Sequence, residues 1–345
     1  MANMVYDLIE PAVLIDFVRA FSNEVLREEN RFTLDRWLPN RLTNDLEFRI
    51  RKGDFTDVDI AEYRAFDTPA VMTGRPGVSR ISGKLGPVSR QIPLGEEEHL
   101  RQRALETGTD DPIITAIFDD AERMTRSVQA RVEAARGDII DDGIVTIAEN
   151  GLVLEADFDR SASMSVIAAT VWTDPTAGIL SELLAWQQAY IDLNGSEPAL
   201  MLMPKTRVAN FALNTEMREY ASANGTTPNR INRATIDNIF SNEGLPPIET
   251  YDVSVRKDGV ATRVLPLDKL YLMPAPGEPL GNTFYGPTAE ALKLRAKGLI
   301  EADAVPGIVA VVTETDHPVQ TFTVGTGLIL PAMPNPDLIL DASVI

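Results

Sequence analysis

Between residues 113 and 135, apolar side chains recur at steps of four and three: Ile113, Ile117, Ala121, Met124, Val128, Val132 and Ala135. That spacing places them on one face of an α-helix. Asp111 suits the N-cap, Pro112 the first helical position and Gly137 the stop, so the pattern predicts a helix of about 25 residues spanning ~37 Å. A second stripe, Leu14, Val18, Phe21 and Val25, predicts a helix from Pro11 to Glu29. After the long helix, Leu152, Leu154, Ala156 and Phe158 alternate with Val153, Glu155, Asp157 and Asp159, as in a strand with one apolar and one wet face.

From about residue 162 helices and strands alternate. A helix opening at Thr173-Asp174-Pro175 carries Ile179, Leu183, Trp186, Tyr190 and Leu193 and ends at Asn194-Gly195. Ala199 to Met203 reads as a buried strand stopped by Pro204, which starts a helix reaching about Tyr220. A helix near 228–241, strands at 248–256 and 261–273, and a short helix from Thr288 to Lys297 follow. Gly307–Glu314 and Val319–Leu330 predict an antiparallel pair, and a proline-rich tail ends the sequence.

One stretch has no core pattern. Residues 68–95 contain no acidic side chain, five glycines, four prolines, and the cations Arg75, Arg80, Lys84 and Arg90. Short alternations such as Val78-Ser79-Arg80-Ile81-Ser82, and Leu85 through Ile92, predict an extended two-armed ribbon of about 40 Å. A lone two-stranded ribbon is marginal in water. It is therefore expected to lie on a neighbouring molecule, with Arg75, Arg80, Ile81, Lys84, Leu85 and Arg90 as its contact residues.

Charge sharpens that expectation. The 345 residues carry a net charge of −19, yet residues 51–100 hold eight acidic and seven basic side chains. Residues 151–200 hold seven acidic and one basic, and residues 301–345 six acidic and none basic. Such complementary fields favour correct register between subunits; the alternative is that both regions are solvated surfaces. The acidic balance argues against a surface that grips nucleic acid. No cysteine is present, which removes disulfides, thiolate metal sites and thiol nucleophiles. No apolar run is long enough to predict a membrane span, and Asp7 and Glu10 stand where a signal peptide needs positive charge.

Catalytic chemistry is poorly supplied. The two histidines, His99 and His317, are far apart in sequence. Gly83-Lys84 is followed by Leu85, where a phosphate-binding loop needs Ser or Thr, and the glycine spacing is off by one. Asp57/Asp59, Asp141/Asp142 and Glu155/Asp157/Asp159 can be drawn as acid–base pairs or a calcium site, but hydrated carboxylates are expected among 51 acidic residues. No catalytic, cofactor or metal residue is assigned.

The run PALMLMPKTRVANFAL at 198–213, a hydrophobic strand, a proline and a helix, resembles the axial domain of tailed-phage major capsid proteins. The surroundings agree: Arg31 to Pro39 (RFTLDRWLP) is similar to the exit from an N-terminal arm, Ile92 to Glu98 closes the ribbon, and Val264 to Pro274 with Gly281-Asn-Thr resembles a late strand and loop. The resemblance is to the phage lambda-like major capsid protein E family and covers nearly the whole chain. It implies an α+β chain with the Hong Kong 97-like capsid fold: an N-terminal arm (1–45), an extended loop region (46–98), a peripheral domain with a long spine helix (99–161 and 306–345) and an axial domain (162–305). It further implies a structural protein, not an enzyme. Such a protein self-assembles as pentamers and hexamers into an icosahedral phage head around double-stranded DNA, built in the host cytoplasm. Decoration, scaffold and portal proteins are the partners it brings, with no membrane. In relatives that weld subunits by a Lys–Asn bond the lysine sits on the loop, which nominates Lys84, although the lambda-like branch generally lacks the weld. An encapsulin-like compartment, a tail-tube subunit and a carboxylate hydrolase using Asp142 or Asp157 are the alternatives.

Overall fold

Apolar runs scattered along the whole sequence come together in two sheets that share the long helix as a common wall. The computed structural model describes residues 3–4, 9–28, 32–51, 80–97, 100, 112–222, 226–257, 259–277 and 280–345. The first half holds β1 (Asn3–Met4), α1 (Pro11–Glu28), β2 (Asn40–Leu42), β3 (Glu47–Arg51), β4 (Arg80–Lys84), β5 (Gly86–Leu94), α2 (Pro112–Asp142), β6 (Ile144–Glu149) and β7 (Leu152–Asp157). Then come β8 (Ser165–Ile167), α3 (Ile179–Asn194), β9 (Leu200–Met203), α4 (Lys205–Phe211), α5 (Thr215–Tyr220) and α6 (Arg233–Glu243). The strands β10 (Ile248–Thr250), β11 (Ser254–Lys257), β12 (Val260–Arg263) and β13 (Lys269–Met273) follow. The chain closes with β14 (Asn282–Gly286), α7 (Ala289–Ala296), β15 (Val309–Asp316), β16 (Val319–Ala332) and β17 (Leu340–Ser343).

The first sheet has six strands in the order β1-β15-β16-β14-β2, with β5 on the other edge of β16. The second runs β10-β9-β13-β17-β8. The continuous apolar runs of the second sheet follow from burial on both faces. Leu200 and Leu202 of β9, with Tyr271 and Met273 of β13, face a core shared with α2 and the first sheet. Their neighbours Met201, Met203, Leu270 and Leu272 face a separate core under α3 to α6. A one-residue slip would exchange these two sets.

The long helix runs farther than its pattern predicts. It has 31 residues, about 46 Å, and passes straight through Gly137. That glycine is needed for packing: a Cβ there would stand 2.5 Å from Val264 Cγ1. The stop is Gly143, at φ 76°, whose N–H bonds Ile139 O at 3.1 Å. The expected N-cap, Asp111, lies outside the described residues.

Other boundaries differ for local reasons. The helix expected from Thr173 begins at Ile179. The helix expected from 204 to 220 is two short ones, because Asn214 breaks off and caps α5, accepting from Met217 N at 3.1 Å. The expected strands at 248–256 and 261–273 each divide between the second sheet and the exposed β11–β12 hairpin. The proline-rich tail contains β17, an inner strand of the second sheet between β13 and β8. Conversely β14 pairs with β16 in the first sheet, and Ala291 and Leu294 of α7 pack on Val309 and Val311 of β15. Sheet membership therefore does not follow the expected boundary at 305. The described part of the expected arm is also sewn into the body: Leu34, Trp37 and Leu38 are fully buried, and Trp37 Nε1 donates to Pro274 O at 2.9 Å.

Candidate assembly surface

The region expected to form one ribbon divides at Leu85. Before it, β4 pairs antiparallel with β3, from Glu47 opposite Lys84 to Arg51 opposite Arg80. After it, β5 pairs with β16 over nine residues, from Gly86 opposite Ile329 to Leu94 opposite Thr321. The second predicted arm is thus a strand of the first sheet in its own subunit. Its sequence looked core-less because β16 and α2, remote in sequence, supply the apolar partners. The ribbon is instead built from β3 and β4, and the span that joins them, 52–79, lies outside the described residues.

The six nominated residues do not form one patch. Arg75 lies outside the described residues, and Arg80 is the last paired position of β4. Ile81 sits opposite Ile50, and both are half-buried against the central core. Leu85 is 5 % exposed, so it is a core residue and not a contact residue. Its N–H donates to Leu46 O at 3.0 Å, and its side chain packs on the bare backbone of Gly286. Lys84 is exposed at the foot of the ribbon, not at a tip. Arg90 is exposed on β5 and its Nη1 donates to Ser127 Oγ on α2 at 2.8 Å.

Two polar networks, largely buried, hold the long helix in place. Glu133 and Arg136 of α2 are fully buried and ion-paired at 3.2 Å. Glu133 Oε1 accepts from Leu34 N at 3.1 Å and from Tyr251 OH at 2.8 Å. Arg136 donates to Thr283 Oγ1 at 3.0 Å and to Asn40 Oδ1 at 2.6 Å. One pair of side chains thus joins α2 to the segment before β2, to β2, to β14 and to the chain after β10. Burial raises the Glu133 carboxyl above its ordinary value, while Arg136 and the hydrogen bonds oppose the rise.

The second network caps the helix C-terminus. Arg160 donates to Ile139 O, Ile140 O and Asp141 O at 2.9–3.0 Å and to Asp341 Oδ1 at 3.0 Å. A cation at this end complements the helix dipole and satisfies the last carbonyls. Lys269 joins Asp141 at 2.7 Å and Asp341 at 3.5 Å. Burial acts to lower the Lys269 pKa, but Asp141 and Asp341 outweigh it and the ammonium stays above its usual value. These contacts tie α2 to β13 and β17 of the second sheet. The Asp141/Asp142 pair is therefore structural wiring: Asp141 holds Lys269 and Tyr271 OH, and Asp142 accepts from Ile144 N at 3.0 Å. Asp157 accepts from Asp159 N at 2.7 Å on the exposed strand β7. Among the described residues no group of three or more His, Asp or Glu is arranged to hold a metal ion.

A cleft of about 830 Å³ lies between α2, the start of β5, the β6–β7 hairpin and β11. Its walls carry Arg90, Arg126, Arg131, Arg256 and Lys257. The one carboxylate among its described lining residues is Glu149, which pairs with Lys257 at 2.7 Å and Arg131 at 3.3 Å. The Lys257 hydrogen bond holds Glu149 below the usual carboxylate range. Sequence reading missed this cluster, because its cations come from three elements spread over residues 90–257 and share no spacing.

The sequence profile of the phage major capsid protein E family matches residues 31–344. The chain belongs to that family. The capsid protein shares its fold with two solved structures in particular. One is a protein assigned as the capsid protein of a prophage in E. coli CFT073, at 15% identity, 100% coverage of both chains and a TM-score of 0.60. The other is a phage-related protein from Bordetella bronchiseptica RB50, at 12% identity, 96% coverage of both chains and a TM-score of 0.58. No curated protein sequence matches it significantly. The mixed helix-and-sheet architecture is the Hong Kong 97-like capsid fold, and the protein is a phage major capsid protein, a subunit of a capsid shell. No helix among the described residues is long and apolar enough to cross a membrane.

Proposed function

We propose that the protein assembles as pentamers and hexamers into an icosahedral phage head that encloses double-stranded DNA, built in the host cytoplasm. The observation that carries this reading is the family match over 31–344 on a chain whose β3–β4 ribbon opens into a 28-residue connection. The protein acts structurally and performs no catalysis. In this reading α2 and the first sheet form the peripheral domain, and the second sheet with α3 to α6 forms the axial domain around the fivefold and sixfold centres. The ribbon overlaps a neighbour, with Arg75, Arg80 and Lys84 of the ribbon region and Arg90 of β5 acting between chains. A shell of this kind takes a portal and a scaffold as partners and accepts a decoration protein outside.

Electron microscopy of the purified protein tests the reading. Closed particles with fivefold vertices, enclosing nuclease-resistant DNA when isolated from infected cells, are the expected result. Rings, rods or single subunits at high concentration would overturn it. Particles filled with a folded protein cargo and no DNA would point to an encapsulin-like compartment instead.

A further inference from the structure

Among the described residues that line it, the cationic cleft carries five cations and one carboxylate. Arg131 and Lys257 share Glu149, Arg126 pairs with Glu122 at 3.0 Å and lies over Phe21, and Arg90 is held by a neutral serine. Arg256 has no anionic partner among the described residues. Five cations from three elements, β5, α2 and β11, crowd around Glu149 as the one carboxylate among the cleft's described lining residues, and an incoming anion relieves their mutual repulsion. The walls are not polar throughout, since Val88, Ala134, Ile147 and Leu152 supply apolar surface between the charged groups. A bare phosphate chain uses the charge but leaves that apolar surface wet. An acidic segment with interleaved large apolar side chains uses both.

This chain contains such a segment. Residues 54–67 (DFTDVDIAEYRAFD) carry five carboxylates and one arginine, with Phe55, Val58, Ile60, Tyr63 and Phe66 between them. They fall in the 28-residue connection between β3 and β4, whose remaining residues after Asp67 hold no acid. A 28-residue excursion, out and back, reaches about 45 Å, enough to pass beyond its own subunit. We propose that the cleft receives residues 54–67 of a neighbouring copy, carboxylates against Arg90, Arg126, Arg131, Arg256 and Lys257. The inference rests on the shell reading and specifies its contact. It also reverses the polarity expected from sequence: the acidic half of the connection is the ligand and the body supplies the cations.

The test uses the full chain in two charge-reversed forms, D57K/D59K/E62K and R131E/R256E. Circular dichroism and denaturant unfolding confirm that each folds. A labelled peptide of residues 54–67 is expected to bind the acid-reversed chain, whose cleft is intact. Binding should weaken by about tenfold or more near 1 M salt, where charges are screened beyond about 3 Å, and be lost in the cleft-reversed chain. Neither single form should close shells, and the two reversals combined in one chain should restore them. Peptide that fails to bind while wild-type shells form overturns the inference and leaves the shell reading standing. Peptide that binds while each reversed chain still forms shells normally places the contact within one subunit, and also overturns it. So does a short DNA oligonucleotide that occupies the cleft when the peptide does not. Wild-type protein that forms no shells sinks both.

Discussion

Gly137 lies in the last two turns of the long helix α2 with its bare Cα pressed against Val264, so that a Cβ would stand 2.5 Å from Val264 Cγ1 and closer still to the carbonyl oxygen. Helix propensity alone would favour alanine here by about 1 kcal/mol. The contact is partly to backbone, which cannot swing aside, so the clash wins. Gly137→Ala is expected to lower stability by about 1–3 kcal/mol in denaturant unfolding. A variant as stable as the parent would show that α2 and the residues before β13 do not approach this closely.

Breaking the Glu133–Arg136 pair should cost far more than replacing it. Arg136→Met leaves a buried carboxylate and is expected to lose about 3–5 kcal/mol. Glu133→Leu combined with Arg136→Met leaves Leu34 N, Tyr251 OH and Asn40 short of partners but no stranded charge. The double variant should therefore be more stable than Arg136→Met alone. Urea midpoints of the variants decide this, and a double variant that is the less stable of the two would contradict the account.

Adjacent residues 84 and 85 should behave oppositely. Leu85→Ala empties space in the central core and is expected to cost about 2–5 kcal/mol. Lys84→Glu changes an exposed side chain opposite Glu47 and should leave thermal stability within about 0.5 kcal/mol, with its effect confined to particle yield by electron microscopy. Equal melting shifts for the two variants would place Lys84 in the core as well.

Asp138 stands with Asp141 and Asp142 at the negative end of α2. Its pKa is raised by burial, and further by Asp142 and Asp141, against the opposing charges of Arg131 and Lys257. A raised folded-state value means the ionised form is the costly one. The penalty is absent below the unfolded carboxylate pKa and grows as pH rises through the folded value. Asp138→Asn should therefore be more stable than the parent at pH 7, and the gain should vanish on acidification to about pH 3. A gain independent of pH would rule out the carboxyl as its source.

Much of the secondary structure was legible because each element's own residues carry its period. The stripe from Ile113 to Ala135, the alternation at Leu152–Phe158, the short helix near Thr288–Lys297 and the β15–β16 pair all stand where sequence reading places them. The site was far less legible. Arg90, Arg131 and Arg256 meet only because β5, α2 and β11 meet, and contacts that distant leave no local periodicity.

What the amino-acid order decided alone was local: which residues turn a helix, alternate in a strand or cap an end, since those choices depend on neighbours three or four positions away. The acid-free character of 68–95 and the absence of cysteine were likewise plain from it. Tertiary structure decided the rest. It made Gly137 a contact instead of a stop, drew Leu340–Ser343 from a tail into an inner strand, and turned half of a cationic ribbon into a strand of its own subunit's sheet. Each outcome depends on a partner about seventy or more residues away, whose shape and hydrogen-bonding groups exist only once the chain has folded.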